Sequence, residues 1–418
     1  MRPFSIYIHI PFCLSRCPYC DFNSYALNVI PEKDYVAALL CELDYRASLD
    51  EWCGRTVETI YFGGGTPSLF KPSSMHKIMA AICARFPVAG SLEVSMEANP
   101  NTVDADSLLG YREAGINRLS LGAQTLDPDL LKTLGRIHSV EQIEAACAAA
   151  KGAGFTNLNL DLIYGIPTQT LEQVRADLKQ IMRLDPQHVS AYGLTIEKGT
   201  SFYSQYKKGL IKLPSEEEVV SMMNEISSFL SSCGYKRYEI SNFAERGFEA
   251  RHNLTYWNGG DYLGLGAGAH SFLASYKDGL RHSGVRWANY ALPNKYCKQA
   301  AATGEAQSWS ESLSTTDLMF EFFFLGLRKI NGVSCSEFEA LFGTSIDKVY
   351  PALLEVLADQ NLLKRNGDFL ALSEEGLLIA DSVIENFAAP EGKVIKFPRH
   401  CETGTGPTYK GNLPAANE

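Results

Sequence analysis

Apolar, β-branched runs alternate with amphipathic helical runs along residues 1–200 of this 418-residue chain. This alternation is typical of βαβ units, in which the strands pair in parallel and the helices cover the sheet. The pattern predicts strands near residues 4–10, 57–62, 91–97, 117–122, 156–163 and 187–193. It predicts helices near residues 32–49, 72–86, 104–114, 139–153 and 170–183. Six βα units correspond to a barrel that is three-quarters closed, since a complete barrel has eight.

The pattern changes after the sixth predicted strand. A further helix begins with a capping box at residues 215–218, and an aromatic and glycine-rich stretch follows. From Thr316 the chain is mainly helical again, with a hairpin expected at Asn366-Gly367. Helices combined with a hairpin indicate a winged-helix-like module. We expect a barrel over 1–240, a connecting segment over 241–310, a C-terminal winged-helix-like domain over 311–388 and a flexible tail over 389–418.

Composition and charge exclude several classes of function. The chain is 45% hydrophobic and 21% charged, which is typical of a globular protein with a full core. Its formal net charge is −10, and residues 331–390 contain ten acidic residues against three basic ones, so a nucleic-acid partner is not expected. No long apolar stretch or targeting segment is recognisable. These features predict a cytoplasmic protein that does not itself span a membrane.

Three cysteines follow directly after the first predicted strand. Cys13, Cys17 and Cys20 form a C-x3-C-x2-C cluster. Three thiolates can hold three irons of a 4Fe-4S cube and leave the fourth iron open to another ligand. The alternative is a zinc site completed by a distant fourth cysteine. Because chemistry in such barrels lies at the carboxyl ends of the strands, the position of this loop fits a reactive site.

The cysteine spacing resembles the radical S-adenosylmethionine (SAM) superfamily. In that superfamily the open iron binds the amino and carboxylate groups of SAM, and the reduced cluster cleaves SAM to a 5′-deoxyadenosyl radical. The string Tyr7-Ile-His-Ile-Pro-Phe-Cys13 is similar to the branch that contains the oxygen-independent coproporphyrinogen dehydrogenases and the HemW-type haem chaperones. The dehydrogenases have a fourth cysteine two residues after the third, where this chain has Phe22. The resemblance therefore implies a partial (β/α)6 radical SAM barrel and favours the chaperone branch.

Polar residues at later strand ends extend the resemblance. The glycine run at residues 62–67 is similar to the GGGTP motif that contacts the SAM amino group. Glu97 ends the third strand, where the alternative is a solvated acid. Arg136 carries a fork that can bond both oxygens of a carboxylate, and Asp161 lies among apolar neighbours and needs partners. The resemblance implies that SAM is bound by Tyr7, Tyr19, Gly64, Gly65, Thr66, Glu97, Gln124, Arg136 and Asp161.

A second string points towards haem. The residues His252-Asn-x-x-Tyr256-Trp257 match the HNxxYW signature of HemW-type haem chaperones. A neutral imidazole is a good axial ligand of haem iron, and Tyr and Trp offer flat apolar area to a macrocycle. The alternative is a turn with two aromatic residues that pack on the barrel, so the signature can serve the fold, SAM or haem. His270 is a secondary candidate for a haem ligand.

Two other motifs are assigned structural roles. His138 lies beside a helix start, where a histidine is more often a capping or core residue than a metal ligand. The glycines of residues 264–268 have the spacing G-x-G-x-G, which departs from the dinucleotide fingerprint G-x-G-x-x-G. We expect these glycines to form a loop that closes the open side of the barrel.

Two functions of different classes follow from the resemblance. The first is a cytosolic haem chaperone that binds a 4Fe-4S cluster, SAM and haem and passes haem to an apo-haemoprotein of the respiratory chain. The alternative is a radical SAM enzyme that decarboxylates coproporphyrinogen III oxidatively to protoporphyrinogen IX. Phe22 and the HNxxYW string favour the chaperone.

Overall fold

The computed structural model of this chain describes residues 2–388. The predicted flexible tail, residues 389–418, lies outside the described residues. The chain divides into two compact units. Unit 1 contains the chain up to Tyr256 together with Gly260–Phe272 and Trp287–Ser310, and unit 2 contains Trp257–Gly259, Leu273–Arg286 and the chain from Glu311 onward.

Strands and helices alternate through the first part of the chain, as the sequence pattern predicts. In residues 2–388 the strands are β1 (Phe4–Ile10), β2 (Phe12–Cys13), β3 (Tyr25–Ala26), β4 (Val57–Gly64), β5 (Val88–Ala98), β6 (Arg118–Gln124), β7 (Leu158–Tyr164), β8 (His188–Gly193), β9 (Lys236–Arg237), β10 (Asn242–Ala244), β11 (Tyr262–Leu265), β12 (His270–Lys277), β13 (Leu280–Asn289), β14 (Gln307–Leu313), β15 (Val333–Ser334), β16 (Leu363–Asn366) and β17 (Phe369–Leu372). The helices are α1 (Glu32–Ala47), α2 (Pro72–Arg85), α3 (Ala105–Glu113), α4 (Pro128–Thr133), α5 (Val140–Gly152), α6 (Leu171–Leu184), α7 (Ser201–Lys207), α8 (Glu216–Ser232), α9 (Arg251–Trp257), α10 (Pro293–Thr303), α11 (Thr315–Gly326), α12 (Cys335–Phe342), α13 (Ile346–Val349), α14 (Pro351–Asp359), α15 (Glu374–Leu378) and α16 (Ala380–Glu385).

Six parallel strands form the barrel wall. They lie in the order β1-β4-β5-β6-β7-β8, and each neighbouring pair is parallel. A helix or pair of helices connects each strand to the next, which is the βαβ arrangement that the alternation predicts. The predicted partial (β/α)6 barrel is therefore confirmed. Beyond β8 the sheet continues with antiparallel β10 and β9.

The glycine-rich stretch at residues 262–271 differs from the expected loop. Tyr262–Leu265 forms β11, which pairs in parallel with β1 and adds a strand to the barrel edge. β11 then turns into antiparallel β12, and the full sheet order is β14-β13-β12-β11-β1-β4-β5-β6-β7-β8-β10-β9. The strand escaped prediction because glycines within a strand remove the side chains whose alternation marks it.

Alternation along each barrel strand separates an apolar face from a polar one. In β1, Ile6 and Ile8 are buried on one face, whereas Ser5, Tyr7 and His9 lie on the other. Strand register brings the polar positions of neighbouring strands side by side, as in the pairs Ser5↔Thr59, Ser95↔Arg118 and Asn159↔His188. Buried polar side chains of this interior face include Ser5, His9, Thr59, Glu93, Ser95, Arg118, Ser120, Asn159, His188 and Ser190.

Unit 2 has the predicted combination of helices and a hairpin. The Asn366-Gly367 turn joins antiparallel β16 and β17, and β15 pairs with the other side of β17. The apolar helix predicted from Thr316 is α11, and its Phe323 ring stacks on Phe387 with the ring centroids 4.2 Å apart. Within the described part of the chain, we find no helix with the length and hydrophobicity that crossing a membrane requires.

We expect Gly266→Ala to destabilise unit 1 by roughly 2 to 4 kcal/mol, because Gly266 has a φ of +102° and an added Cβ would lie 2.8 Å from the Tyr35 hydroxyl oxygen. The added Cβ would also collide with the carbonyl oxygen of His9. The control is Gly152→Ala, where nothing lies within 4 Å of the added Cβ. Urea unfolding measures both variants, and an unchanged free energy for Gly266→Ala would contradict the packing described.

Candidate functional site

The carboxyl ends of the barrel strands surround a cavity of about 430 Å³. This volume lies in the range of clefts that hold small molecules, roughly 300–1,000 Å³. The cavity brings together most of the residues that the sequence singled out. Those that line it are Cys13, Cys17, Tyr19, Cys20, Gly64, Gly65, Thr66, Glu97, Gln124, Arg136 and Asp161.

The three cysteines are free thiols on one loop at the mouth of the cavity. Cys13 ends β2, and the backbone N–H of Cys20 donates to the carbonyl of Cys17 at 3.2 Å. Burial raises the pKa of the Cys13 and Cys20 thiols, and metal binding would have to deprotonate them. Among residues 2–388, no three His, Cys, Asp or Glu side chains are arranged to hold a single metal ion. Polar groups near the sulfurs are the hydroxyls of Thr66 and Ser24 and the guanidinium of Arg136.

His9 lies behind the cysteine loop and was not predicted as a functional residue. Its Nε2 is 2.9 Å from the carbonyl oxygen of Asn23, so Nε2 carries the proton and donates. Its Nδ1 therefore accepts from the Tyr7 hydroxyl at 3.0 Å. Burial lowers the pKa of His9 to about 4, which keeps the ring neutral at pH 7. Asn23 in turn donates to the carbonyl of Ala267, so His9 and Asn23 together join the loop to β1 and to the turn after β11.

The glycine run packs directly on this histidine. Gly64 has a φ of +116°, and a Cβ there would lie 2.7 Å from Nδ1 of His9. At Gly65, a Cβ would lie 3.0 Å from the sulfur of Cys13. Glycine is therefore required at both positions, because the backbone must approach the histidine ring and the cysteine loop closely.

Glu97 lies in the cavity wall and is tied to the protein through both of its carboxylate oxygens. The Tyr61 hydroxyl donates to Oε1 at 2.8 Å, and the backbone N–H of Gly64 donates to Oε2 at 3.1 Å. Burial is the main cause that raises the pKa of Glu97 to about 7; the nearby charge of Asp161 acts in the same direction, and the hydrogen bonds from Tyr61 and Gly64 act against it. Each oxygen keeps a lone pair for a ligand in the cavity.

Arg136 and Gln124 occupy the neighbouring part of the wall. The Arg136 guanidinium donates to Oδ1 of Asn99 at 2.5 Å, to the carbonyl of Gly122 at 3.1 Å and to the sulfur of Cys17 at 3.5 Å. These bonds fix the plane of the guanidinium beside the cysteine loop. Gln124 has a φ of +67°, a conformation that costs a residue other than glycine about 1 kcal/mol or more and is frequent at binding sites.

Asp161 is held in the cavity by donors from inside the barrel. Ser120 donates to its Oδ2 at 3.0 Å, and the side-chain amide of Asn159 donates to its Oδ1 at 2.7 Å. Burial raises the pKa of Asp161, while these hydrogen bonds act in the opposite direction. The sequence predicted that a buried acid here would need partners, and Ser120 and Asn159 are those partners.

A chain of hydrogen bonds continues from Asn159 through the barrel interior. Oδ1 of Asn159 can only accept, so Nδ1 of His188, at 2.6 Å, is the donor. Nε2 of His188 then accepts from the Tyr238 hydroxyl at 2.8 Å, and that hydroxyl accepts from the N–H of Ala250. Burial lowers the pKa of His188 well below its ordinary value, so the ring stays neutral. The chain fixes the orientation of Asn159 and, through it, of Asp161.

Within the HNxxYW string, His252 is buried and the other residues are half-buried. His252 is 1% exposed, with Nδ1 2.7 Å from the Thr59 hydroxyl and Nε2 2.9 Å from the Tyr256 hydroxyl. Tyr61 stacks on its ring at 5.1 Å, and burial lowers the pKa of His252 to about 3. Neither ring nitrogen is free, and neither His252 nor Tyr256 lines the cavity. Trp257 belongs to unit 2, where the Arg328 guanidinium lies 5.8 Å from its ring centroid.

This geometry gives no support to haem ligation by His252, Tyr256 and Trp257, which stays a prediction. Ligation by His252 would require at least one of its two side-chain hydrogen bonds to break. The structure also shows the surroundings of the other candidate residues, His138, His270 and Tyr7. His138 is buried near the carbonyl of Ala123, as expected of a core residue, and His270 is half-buried with Trp309 against it. Tyr7 is half-buried and does not line the cavity.

Comparison with known proteins agrees with the fold and the site. The model of the Radical SAM superfamily matches residues 7–181, and the model of the HemN C-terminal domain matches residues 313–379. A solved structure described as the radical SAM enzyme coproporphyrinogen III oxidase (HemN) from Escherichia coli has a TM-score of 0.79 and 26% identity. It covers 93% of this chain, which covers 90% of it. Fold and cavity therefore define a radical SAM protein, a class that implies a 4Fe-4S cluster and SAM.

Curated relatives show to which family within the radical SAM proteins the chain belongs. The chain is 39% identical over 392 residues to the heme chaperone HemW of Escherichia coli K12, covering 93% of this chain and 99% of that protein. It is 36% identical over 384 residues to the heme chaperone HemW of Bacillus subtilis 168, covering 92% and 98%. The chain belongs to the HemW family. The resemblance drawn from the cysteine spacing and the HNxxYW string is thus confirmed.

Two variants of His188 test the hydrogen-bond chain below Asp161. We expect His188→Gln to weaken SAM binding about fivefold, because it removes the Nδ1 donor that orients Asn159, and one such bond contributes about 1 kcal/mol. His188→Asn should bind SAM nearly as the parent does, since its amide nitrogen can take the place of Nδ1. Calorimetric titration with SAM measures both, and equal affinities for the two variants would contradict the role of the chain.

Proposed function

We propose that this protein is a haem chaperone, which holds a 4Fe-4S cluster and SAM at the carboxyl end of the barrel, binds haem and passes it to an acceptor haemoprotein. The observation that carries the proposal is the near-full-length match to haem chaperones, at 39% identity over 99% of the relative's length. We further propose that the acceptor is an apo-haemoprotein of the respiratory chain and that the chaperone works in the cytoplasm. The free thiols of the described cysteines are consistent with a reducing compartment.

The residues of the cavity fit the proposed cluster. Cys13, Cys17 and Cys20 would supply three thiolates from one loop. When bound, the cluster supplies an open iron for SAM and, when reduced, an electron for SAM cleavage. The Arg136 guanidinium would offset the negative charge of the thiolates, since it already donates to the sulfur of Cys17. The Thr66 hydroxyl would act similarly at Cys13.

Polar groups of the cavity also fit SAM. Glu97 and the glycine backbone would receive its amino group, and Arg136 and Gln124 lie in the wall nearest the cysteine loop. Asp161 would accept from the ribose hydroxyls, because it faces the cavity with its orientation fixed by Ser120 and Asn159. Tyr7 and Tyr19 would contribute from behind the wall and from the loop. Together these side chains would orient the ligand in the cavity.

We propose that the HNxxYW string has a role in the fold of this chain, and haem binding by His252, Tyr256 and Trp257 stays a prediction. The backbone N–H of His252 donates to Glu93, and its ring bridges Thr59 and Tyr256. These contacts fasten α9 beneath the aromatic residue Tyr61, which itself donates to Glu97. The string would thereby support the floor of the SAM cavity from below.

Coproporphyrinogen III oxidation is the second candidate function. The 0.79 TM-score to the coproporphyrinogen III oxidase structure favours it at the level of the fold. The residue two places after the third cysteine argues against this function. The resemblance implies a fourth cysteine there in the dehydrogenases, whereas this chain has Phe22, which has no thiol and is 66% exposed. The two functions make opposite predictions for the same incubation.

We expect the anaerobically reconstituted protein to bind haem, with a protein-bound Soret band, and to form no protoporphyrinogen IX from coproporphyrinogen III and SAM under reducing conditions. Haem loaded on the protein should move to an apo-haemoprotein. Turnover of coproporphyrinogen III would replace the chaperone proposal by the enzymatic one. Cys17→Ala should lose the cluster, whereas Cys53→Ala, an exposed thiol away from the cavity, should retain it.

SAM binding should depend on pH through Glu97. Its pKa of about 7 means that the carboxyl gains a proton as the pH falls from 8 to 6, which removes a charge and an acceptor for the SAM amino group. We expect the Kd for SAM to rise by up to about tenfold per pH unit below pH 7. Glu97→Gln should bind SAM more weakly without this slope. An equal slope in the variant would show that another group titrates.

A further inference from the structure

A fully buried carboxylate lies in unit 1, outside the cavity. Glu42 on α1 is 0% exposed and is not among the residues that line the cavity. Its Oε1 accepts from the side-chain amide of Asn289 at 2.7 Å. Its Oε2 accepts from the Tyr296 hydroxyl at 2.7 Å and from the backbone N–H of Gly266 at 2.9 Å. Because a carboxylate out of water needs donors around it, these bonds hold the Glu42 side chain in one orientation.

Glu42 and its neighbours hold the turn that follows β11. The Nδ2 of Asn289 that donates to Glu42 also donates to the carbonyl of Gly266 at 2.9 Å, so both backbone groups of Gly266 are bonded. The N–H of Ala267 donates to the Tyr35 hydroxyl at 2.8 Å, and that hydroxyl donates to a carbonyl of β1 at 2.7 Å. Side chains of α1 and β13 therefore fix the backbone of this turn from both sides.

The turn contacts the cysteine loop through one side chain, that of Asn23. This residue lies three positions after the third cysteine. Its Nδ2 donates to the carbonyl of Ala267 at 3.0 Å and to the carbonyl of Ala291 at 3.1 Å. A Cβ added at Gly268 would collide with the same amide, so the turn also packs directly on it. A continuous path of hydrogen bonds therefore joins the buried carboxylate to the cysteine loop.

We propose that Glu42 is a positioning residue for the 4Fe-4S cluster, because it holds the cysteine loop in place through the turn after β11 and the side chain of Asn23. The inference rests on the proposed cluster at Cys13, Cys17 and Cys20 and goes beyond it, since none of the hydrogen bonds of Glu42 described above involves a cysteine. Residues that orient the ligands of a metal without touching it commonly change its retention when they are replaced.

The variant Glu42→Gln tests this role with little change of shape. In either orientation of the new amide, its NH₂ group faces a donor that now bonds a carboxylate oxygen. Asn289 cannot turn its own amide to remove the conflict, because its Nδ2 also bonds the carbonyl of Gly266. We expect the anaerobically reconstituted variant to lose its cluster to a chelator roughly tenfold faster than the parent does. The decay of the cluster absorbance measures this rate.

The matched control is Asp177→Asn on α6. Asp177 is also a buried carboxylate, 4% exposed, and accepts from the Thr125 hydroxyl at 2.7 Å and from the N–H of Leu126 at 2.8 Å. These bonds lead to the segment after β6 rather than to the cysteine loop. Both variants should unfold at lower urea concentration than the parent, whereas only Glu42→Gln should release the cluster faster. Equally fast release by Asp177→Asn would show that lost stability alone frees the cluster, and would overturn the inference.

A double variant tests the path from Glu42 to the loop. Asn23→Ala removes the side chain that joins the turn to the cysteine loop, so it should also speed release of the cluster. Adding Glu42→Gln to Asn23→Ala should then change the release rate by less than about twofold, because two residues on one path are not additive. Fully additive effects of the two substitutions would contradict the path and overturn the positioning role.

The remaining outcomes separate this inference from the function on which it rests. If Glu42→Gln does not fold, Tyr296→Phe decides, because it removes one donor to Glu42 and should speed release roughly threefold. Parental release rates in folded Glu42→Gln, or in Tyr296→Phe, would overturn the inference and leave the cluster and the chaperone function intact. Failure of the parent itself to hold a cluster would instead overturn the proposed cluster site.

Discussion

A single neutral imidazole, that of His9, holds the two loops of the site in place. Its Nε2 donates to the carbonyl of Asn23, while its Nδ1 accepts from Tyr7, so one ring joins the cysteine loop to the first barrel strand. The same ring occupies the space that a side chain at Gly64 would need. The position of the cysteine loop and that of Gly64 therefore both depend on the His9 ring. A protonated ring would lose the Tyr7 bond as an acceptor, and burial prevents protonation by lowering the pKa of His9 to about 4.

The same principle recurs at the other buried histidines of the barrel. His188 and His252 each donate from Nδ1 to a fixed oxygen and accept at Nε2 from a tyrosine hydroxyl, Tyr238 and Tyr256 respectively. Burial lowers the pKa of both rings, and the charge of Arg118 lowers it further. Neutral imidazoles can satisfy one donor and one acceptor at once, which suits an interior built from hydroxyl and amide groups. The interior of the barrel is thus a directed hydrogen-bond network on which the cavity wall rests.

The features that could be predicted from the sequence depend on hydrophobic periodicity and on short motifs, both of which involve residues close together in the chain. The alternation of apolar runs with amphipathic helical runs predicts the six barrel strands. The cysteine spacing and the polar residues at strand ends predict the residues that line the cavity. The roles of His9 and His188 depend on partners that are 14 and 29 residues away: the conformation of the cysteine loop brings Asn23 to His9, and strand register pairs Asn159 with His188. The sequence contains a weaker indication of these interior residues. Polar residues recur at every second position of otherwise apolar strands, as at Ser5, Tyr7 and His9. This period marks the interior face of the barrel. The strand β11 gave no such signal, since glycine has no side chain to alternate.

The HNxxYW signature suggests that His252 is a haem ligand, whereas the hydrogen bonds of its ring suggest a structural role. The two interpretations differ in where haem can bind. A motif match shows that a residue belongs to a family, but it does not show what its ring nitrogens contact. In the folded chain those nitrogens contact Thr59 and Tyr256, and the ring stacks on Tyr61, which lines the cavity. At the mouth of the cavity, Phe22 is exposed at the position where the resemblance implies a fourth cysteine in the sister family. A replacement of a thiol by an exposed ring removes a ligand for metal and adds area for an apolar molecule. We therefore expect this position to favour the chaperone over coproporphyrinogen III oxidation within a barrel of the same fold.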